Sequence, residues 1–185
     1  MFGSVDVETT GTLPGYHEIV QIAIVPYSNT FERVGTPFCS LVHPEFPDRA
    51  DPTAQQIHGL DLTDAPEASV VRDRLCDWIV SLDMPIGTKL IPLAHNWPFE
   101  FSFLRTFLGF DLFNEVWHYH PRDAMTFAIA LNDVYTLKGQ KKPFARVSLK
   151  DLCAQFVVVN EKPHDALADS IAEAELYKRM LCALK

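Results

Sequence analysis

Asp6-Val7-Glu8-Thr9-Thr10-Gly11, close to the amino terminus of a 185-residue chain, is the stretch on which the fold turns. Residues 2–9 read as a short buried strand, and Asp6 and Glu8 stand two positions apart near its end. Side chains at i and i+2 share one face of a strand, roughly 6.6 Å apart at the backbone. Two carboxylates held side by side repel unless something positive lies between them. A hard divalent cation, which takes oxygen ligands, is the economical choice. The plainer alternative is a solvated strand face ending in a turn. Ser4, Val5 and Val7 leave little room for an exposed alternating strand, and matching acidic pieces recur downstream.

Outward from this strand, residues 18–27 (EIVQIAIVPY) are rich in β-branched side chains and read as a second strand, and residues 33–42 as a third. Gly15, Pro26, Asn29 and Gly35 punctuate them as an antiparallel meander requires. Residues 43–53, with three prolines, read as a surface connection, followed by a short helix over 54–58 closed by Gly59. Asp64 caps the expected start of a helix reaching Leu82, with Val71, Leu75, Trp78, Ile79 and Leu82 as its apolar stripe. Residues 89–94 (KLIPLA) predict a central strand despite Pro92. Helices are expected over 98–108, closed by Gly109, then over 123–134, 149–156 and from about His164 onward. A meander first, then strands alternating with helices, predicts an α/β fold: a central mixed β-sheet flanked by α-helices.

Composition sets bounds. The length suits one domain over residues 1–185 with a substantial core. With 48% apolar and 22% charged residues the profile is that of an ordinary globular protein. No run approaches the ~20 apolar residues of a membrane span, and no basic leader precedes the first strand. A cytoplasmic protein without a membrane partner is the expectation. Cys39, Cys76, Cys153 and Cys182 form no CxxC pair and are expected as free thiols, the last three as small hydrophobes in helices. The net charge of −8 argues against coating long stretches of nucleic acid. It does not exclude an enzyme that grips a few nucleotides.

Three acidic clusters need weighing together: Asp6 with Glu8; His95-Asn96-Trp97-Pro98-Phe99-Glu100; and His164-Asp165-Ala166-Leu167-Ala168-Asp169. Each has a bland reading alone. Acids in a first helical turn favour the macrodipole, which accounts for Glu100 or Asp165. Asp169 lies beyond the reach of capping. In combination and in this order, the three motifs resemble the DEDDh branch of the 3′–5′ exonucleases, over nearly the whole chain. That family has the ribonuclease H-like fold and includes polymerase proofreading domains and RNase T-like enzymes.

The resemblance implies that Asp6, Glu8, Glu100 and Asp169 hold two divalent cations, Mg²⁺ or Mn²⁺. It also implies that His164 is the general base, since imidazole titrates near pH 6.5. The implied reaction removes nucleoside 5′-monophosphates from the 3′ ends of single-stranded DNA or RNA by a two-metal mechanism. The implied partners are that 3′ end and, for a module joined non-covalently, a polymerase or other replication or repair protein.

One departure stands out. The family usually has Asp where this chain has Glu100, and metal sites are sensitive to shifts of an ångström. A non-catalytic nucleic-acid- or protein-binding member of the fold is the competing reading.

Around these motifs the resemblance marks Thr9, Thr10 and Leu13 as contacts for the terminal nucleotide, against the reading of a plain turn. His58 borders the expected nucleotide pocket or caps its short helix, and Asn96 organises its turn or touches substrate. Asp123 is taken as a helix cap or scaffold, and Phe99 and Phe103 as core. Trp97 reads as packing, with base stacking the alternative. Lys138, Lys141, Lys142 and Arg146 form the basic run of note, a solvated loop or a phosphate clamp, with Lys141 and Lys142 as substrate contacts.

Overall fold

The structure, a computed structural model, describes residues 1–184. Five strands form one sheet: β1 (Phe2–Thr9), β2 (Ile19–Tyr27), β3 (Phe38–Leu41), β4 (Ile91–Ala94) and β5 (Arg122–Asp123). Their spatial order is β3-β2-β1-β4-β5. The β1–β2 and β2–β3 pairs are antiparallel, whereas β4 lies parallel to β1 and β5 parallel to β4. Six helices surround the sheet: α1 (Pro52–His58), α2 (Ala68–Ser81), α3 (Trp97–Val116), α4 (Ala124–Leu137), α5 (Leu149–Gln155) and α6 (Ala166–Cys182). This is the mixed, helix-flanked sheet expected from the order of elements.

Alternation along β1 divides the protein's two faces. Val5 and Val7 enter a core shared with Ile22, Ile24, Val71, Leu75 and Phe103. Ser4, Asp6 and Glu8 take the opposite face, as a period of two requires. There Ser4 Oγ donates to Ser170 O at 2.7 Å, which seats α6 against the sheet. β2 is buried along its whole length, so its β-branched run is fully used. Each fully buried Leu or Ile here contributes about 1.5–3 kcal/mol of transfer free energy.

Several boundaries differ from the sequence reading. β3 is four residues long, and Arg33 reaches Tyr27 only through an isolated bridge. α2 begins at Ala68 without a side-chain cap, so Asp64 and Pro66 lie outside it. α3 continues past Gly109 to Val116, bending where Gly109 takes φ 74° and ψ 169°. The glycine thus closes the first helical stretch, as the sequence led us to expect, and a second stretch follows it to Val116. β5, only two residues, carries no periodicity that a sequence could display. α6 begins two residues after His164, with Asp165 as its cap accepting from Ala168 N at 3.2 Å.

Pro92 is accommodated because of strand alternation. Ile91 N donates to Met1 O on the β1 side, while Leu90 pairs with Val116 and His118 on the other. Position 92 thus turns its missing donor away from β1, toward the side where β5 reaches only Leu93 and Ala94. The cysteines are all free; Cys153 is buried, but Cys182 is exposed at the end of α6 rather than packed as a small hydrophobe.

Candidate active site

The carboxyl end of β1 presents Asp6 and Glu8 beside the first two turns of α6, with the amino end of α3 alongside. Ligand atoms of Glu8, His164 and Asp169 all lie within 4.8 Å of one another. Glu100 is buried at 5% exposure in the first turn of α3, and its Oε2 has no hydrogen-bond partner. Asp6 lies near enough to Glu100, Asp169 and Glu8 for their charges to act on it.

Electrostatics follow from that convergence. Burial first, then Glu100, Asp169, Glu8 and Asp165, holds the Asp6 carboxyl well above the usual carboxylate range. Burial, with Asp169 and Asp165 adding to it, pushes Glu8 up to about 7. Burial pushes Glu100 up to about 8, opposed by its own peptide N–H and reinforced by Asp123. Asp169 is raised chiefly by burial, although two hydrogen bonds favour its charged form. A cluster of this kind is unfavourable as anions alone and suits hard cations held by oxygen. The donor set and the orphaned oxygen of Glu100 fit divalent metal ions.

Four local devices hold the elements that carry these side chains. Asn160 Nδ2 donates to Asp169 Oδ1, and His164 N donates to Asp169 Oδ2 at 3.0 Å. That second bond is possible because His164 takes a left-handed φ of 66°, rare outside glycine, which leaves its ring exposed at the rim. Gln21, directly across from Glu8 on β2, accepts from Ala166 N at 3.0 Å and pins the start of α6. Asp123 accepts from Thr126 N at 2.8 Å and from Trp97 N at 2.7 Å, so one carboxylate caps α4 and α3 together. His95 is buried and loses proton affinity by burial; its Nε2 meets Val147 O at 2.9 Å, tying the end of β4 to the approach of α5.

The remaining candidates divide. Thr9 and Thr10 are buried and spend their hydroxyls within the loop, Thr9 Oγ1 donating to Gly11 O and Thr10 Oγ1 accepting from Glu18 N. Gly11 lies against the His17 ring, where an added Cβ would stand 2.5 Å from it, so only glycine fits. Leu13 is 59% exposed. His58 Nδ1 accepts from Leu60 N at 3.1 Å at the end of α1, while its Nε2 is buried without a partner beside Thr10 in a surface cleft. Asn96 is exposed and gives no side-chain cap; its backbone O accepts from Phe99 N. Trp97 packs among Phe101, Phe113 and Trp117, and Phe103 stacks obliquely on Phe99 within the core. Lys141 and Lys142 are exposed on a loop anchored by Asn132, which exchanges two hydrogen bonds with Phe144.

Three residues at the site escaped the sequence reading. Asn160 lies in a segment without periodicity. Lys150, from α5, lines a cleft shared with Asn160, His164 and Asp169. Glu173 belongs to none of the three motifs, yet it is fully buried; its spacing of four from Asp169 is the signal that marks one helix face.

The sequence model of the RNase T-type exonuclease family matches residues 4–177. The chain belongs to that exonuclease family, as the three motifs led us to expect. A DNA polymerase III subunit epsilon-like protein of Rhodobacter capsulatus is 33% identical over 189 residues, covering 97% of this chain and 23% of the relative. The chain therefore spans about a quarter of that relative's length. Among solved structures, exonuclease I of E. coli in complex with a dA16 oligonucleotide superposes with a TM-score of 0.71 at 20% identity. That match covers 96% of this chain and 40% of the other. The nuclease domain of 3′hExo, a DEDDh family member bound to rAMP, gives a TM-score of 0.68 at 19% identity over 97% of this chain and 90% of that one. These likenesses establish the ribonuclease H-like fold.

Proposed function

We propose that this chain is a 3′–5′ exonuclease that releases nucleoside 5′-monophosphates from the 3′ ends of single-stranded DNA or RNA. The observation that carries this reading is the meeting of Glu8, His164 and Asp169 within 4.8 Å at the rim of a site backed by Asp6 and Glu100. Asp6, Glu8, Glu100 and Asp169 would hold two Mg²⁺ or Mn²⁺ ions. Bound there, such ions lower the pKa of an attacking water and stabilise charge on the departing 3′ oxygen.

The protein's own groups do the rest. His164, exposed at the rim, is placed to take the proton of the attacking water on an imidazole nitrogen. Asn160 and the His164 peptide fix Asp169 through both carboxylate oxygens. Leu13, largely exposed, offers an apolar face to the terminal base. Lys150, lining the cleft with His164 and Asp169, would meet a substrate phosphate, and Lys141 and Lys142 would supply positive charge along the strand's path. The longer arm of Glu100 is buried with a free oxygen rather than displaced to solvent, which favours a working centre over a binding protein that has lost its metals.

The relatives support the same chemistry: exonuclease I of E. coli is seen in complex with dA16 and dT13 oligonucleotides, the nuclease domain of 3′hExo with rAMP, and the Rhodobacter capsulatus relative is a DNA polymerase III subunit epsilon-like protein. A polymerase or repair partner is therefore part of the proposal. The test uses 3′- and 5′-labelled single-stranded DNA and RNA with Mg²⁺ or Mn²⁺, alongside an Asp6→Ala control. Stepwise loss of 3′ nucleotides by the wild type alone is expected. Binding without degradation under every condition would instead establish the non-catalytic reading.

A further inference from the structure

A cleft of about 220 Å³ lies between the β1–β2 turn, the connection after β3 and the helices α2 and α3. Tyr16, Phe46, Arg49, Arg72, Phe103 and Phe107 are among the residues that line it, and Glu8, His164 and Asp169 are not. Tyr16 is 51% exposed and Phe46 41%, so two rings in its wall meet solvent. A guanidinium accompanies them. Arg49 Cζ stands 3.8 Å from the centre of the Phe46 ring and 5.3 Å from that of Tyr16. None of the three salt bridges among the described residues involves Arg49, although Glu18 and Glu45 line the same cleft. The Glu18 carboxylate is spent on the backbone, accepting from Glu45 N at 3.0 Å and from Phe46 N at 2.8 Å. A second guanidinium, Arg72, donates from Nη1 to Phe107 O at 3.3 Å.

The walls are fixed, and they adjoin the proposed site. The two Glu18 bonds hold the connection after β3 to the start of β2, and Asp51 N donates to Thr10 O at 2.7 Å from the far end of that connection. Tyr16 N and His17 N both donate to Leu13 O, at 3.1 and 2.8 Å, so Tyr16 stands one tight turn from Leu13. On α3, Phe103 and Phe107 follow Glu100 by about one and two turns. Stability does not account for the arrangement. An exposed cation–π contact stabilises little, and both exposed rings forgo part of their burial. What they present is chemistry for a nucleotide: an aromatic face stacks on any base, and the planar guanidinium fork matches phosphate oxygens. In a chain of net charge −8, two arginines in one concave surface make a local attraction for a polyanion.

We propose that this cleft is a second nucleotide subsite, taking an internal nucleotide of the single strand with its base on Tyr16 and its phosphodiester on Arg49. This rests on the proposed exonuclease reading and deepens it, because the enzyme then prefers longer strands to dinucleotides. The grip carries little base preference, since every base has a π face.

Fluorescence anisotropy in Mg²⁺ tests the assignment, using oligo-dT with a non-hydrolysable 3′-terminal linkage. It is offered as a dinucleotide and at about ten nucleotides, within the site sizes of single-strand binders. The wild type is compared with Tyr16→Ala, Arg49→Gln and Arg105→Gln, the last removing an exposed α3 guanidinium outside the cleft. The wild type is expected to bind the longer strand about tenfold or more tighter than the dinucleotide. Tyr16→Ala and Arg49→Gln should each cut that ratio by about tenfold. Arg49→Gln should also lower the log–log salt slope by about 1, whereas Arg105→Gln should keep the ratio. Ratios within about twofold of the wild type in both cleft variants, or an equal loss in Arg105→Gln, overturn the subsite. So does a wild type that binds both lengths alike or neither. In each of these cases the labelled-end assay decides the exonuclease reading by itself. Should the variants fail to fold, photoreactive thiothymidine at successive positions of the strand is cross-linked to the wild type. A cross-link from an internal position to Tyr16 or Phe46 supports the subsite, and cross-links confined to other residues overturn it.

Discussion

Single residues at the proposed site are arranged in pairs, one carboxylate facing the cluster and a neighbour holding it. Asp169 is the clearest case, because Asn160 and the His164 peptide occupy one oxygen each and leave its remaining lone pairs aimed outward. Asn160→Ala should therefore lower activity and Mn²⁺ affinity by about 10–100-fold. Asn160→Asp should be worse, since it adds a like charge; equal behaviour of Asn160→Ala and wild type in a metal titration would remove the positioning role. Glu100 is tested more directly. Glu100→Gln keeps the shape and removes the charge, and should reduce kcat by about 100-fold or more. Wild-type turnover would place Glu100 outside the centre.

At the scale of elements, the site depends on how α3 and α6 are seated rather than on their intrinsic helicity. Asp123 ties the first peptide of α3 to the start of α4, so Glu100 is aimed by a residue on a different strand. Replacing it by Ala should cost about 1–2 kcal/mol of stability through two lost caps. KM for single-stranded substrate should change less than kcat, because Glu100 moves while the rim does not. Gly109 acts differently. Its φ of 74° and ψ of 169° belong to a region open essentially to glycine alone. Gly109→Ala should destabilise by about 1–3 kcal/mol in denaturant titrations and leave metal affinity unchanged, because the bend lies two turns beyond Glu100. A neutral result would mean that α3 runs straight in solution.

For the whole molecule, the same carboxylates set the dependence of stability on pH and metal. Folding raises Glu8 to about 7 and Glu100 to about 8, and holds Asp6 and Glu173 well above their ordinary values. In the metal-free protein the native state thus binds more protons than the unfolded chain between about pH 4.5 and 8. Stability is full below the unfolded carboxyl values and is lost as pH rises through the folded ones. Melting in chelator should fall by several degrees from pH 5 to pH 8, at about 2–4 °C per kcal/mol for a chain of this size. Saturating Mg²⁺ should reduce or reverse that slope, because the cation replaces the protons. A flat profile in chelator would show that these acids are solvated.

What the sequence determined by itself was local and repetitive. The β-branched run of β2, the alternation of Asp6, Val7 and Glu8, and the apolar stripe of α2 each repeat a physical period, so the mixed sheet and the three motifs were legible from residue order. Leu13, Thr9 and Thr10 were legible as a turn but not by role, because whether a hydroxyl is spent within a loop depends on which strand faces it. The tertiary structure alone decided the rest. β5 exists only because β4 offers it two residues to pair with. Asp123 became a shared cap because α3 and α4 begin side by side. Glu173, which no motif marks, is buried because α6 packs that face onto the sheet. A carboxylate's meaning lies in which other charges surround it, and that is fixed by packing between segments far apart in the chain.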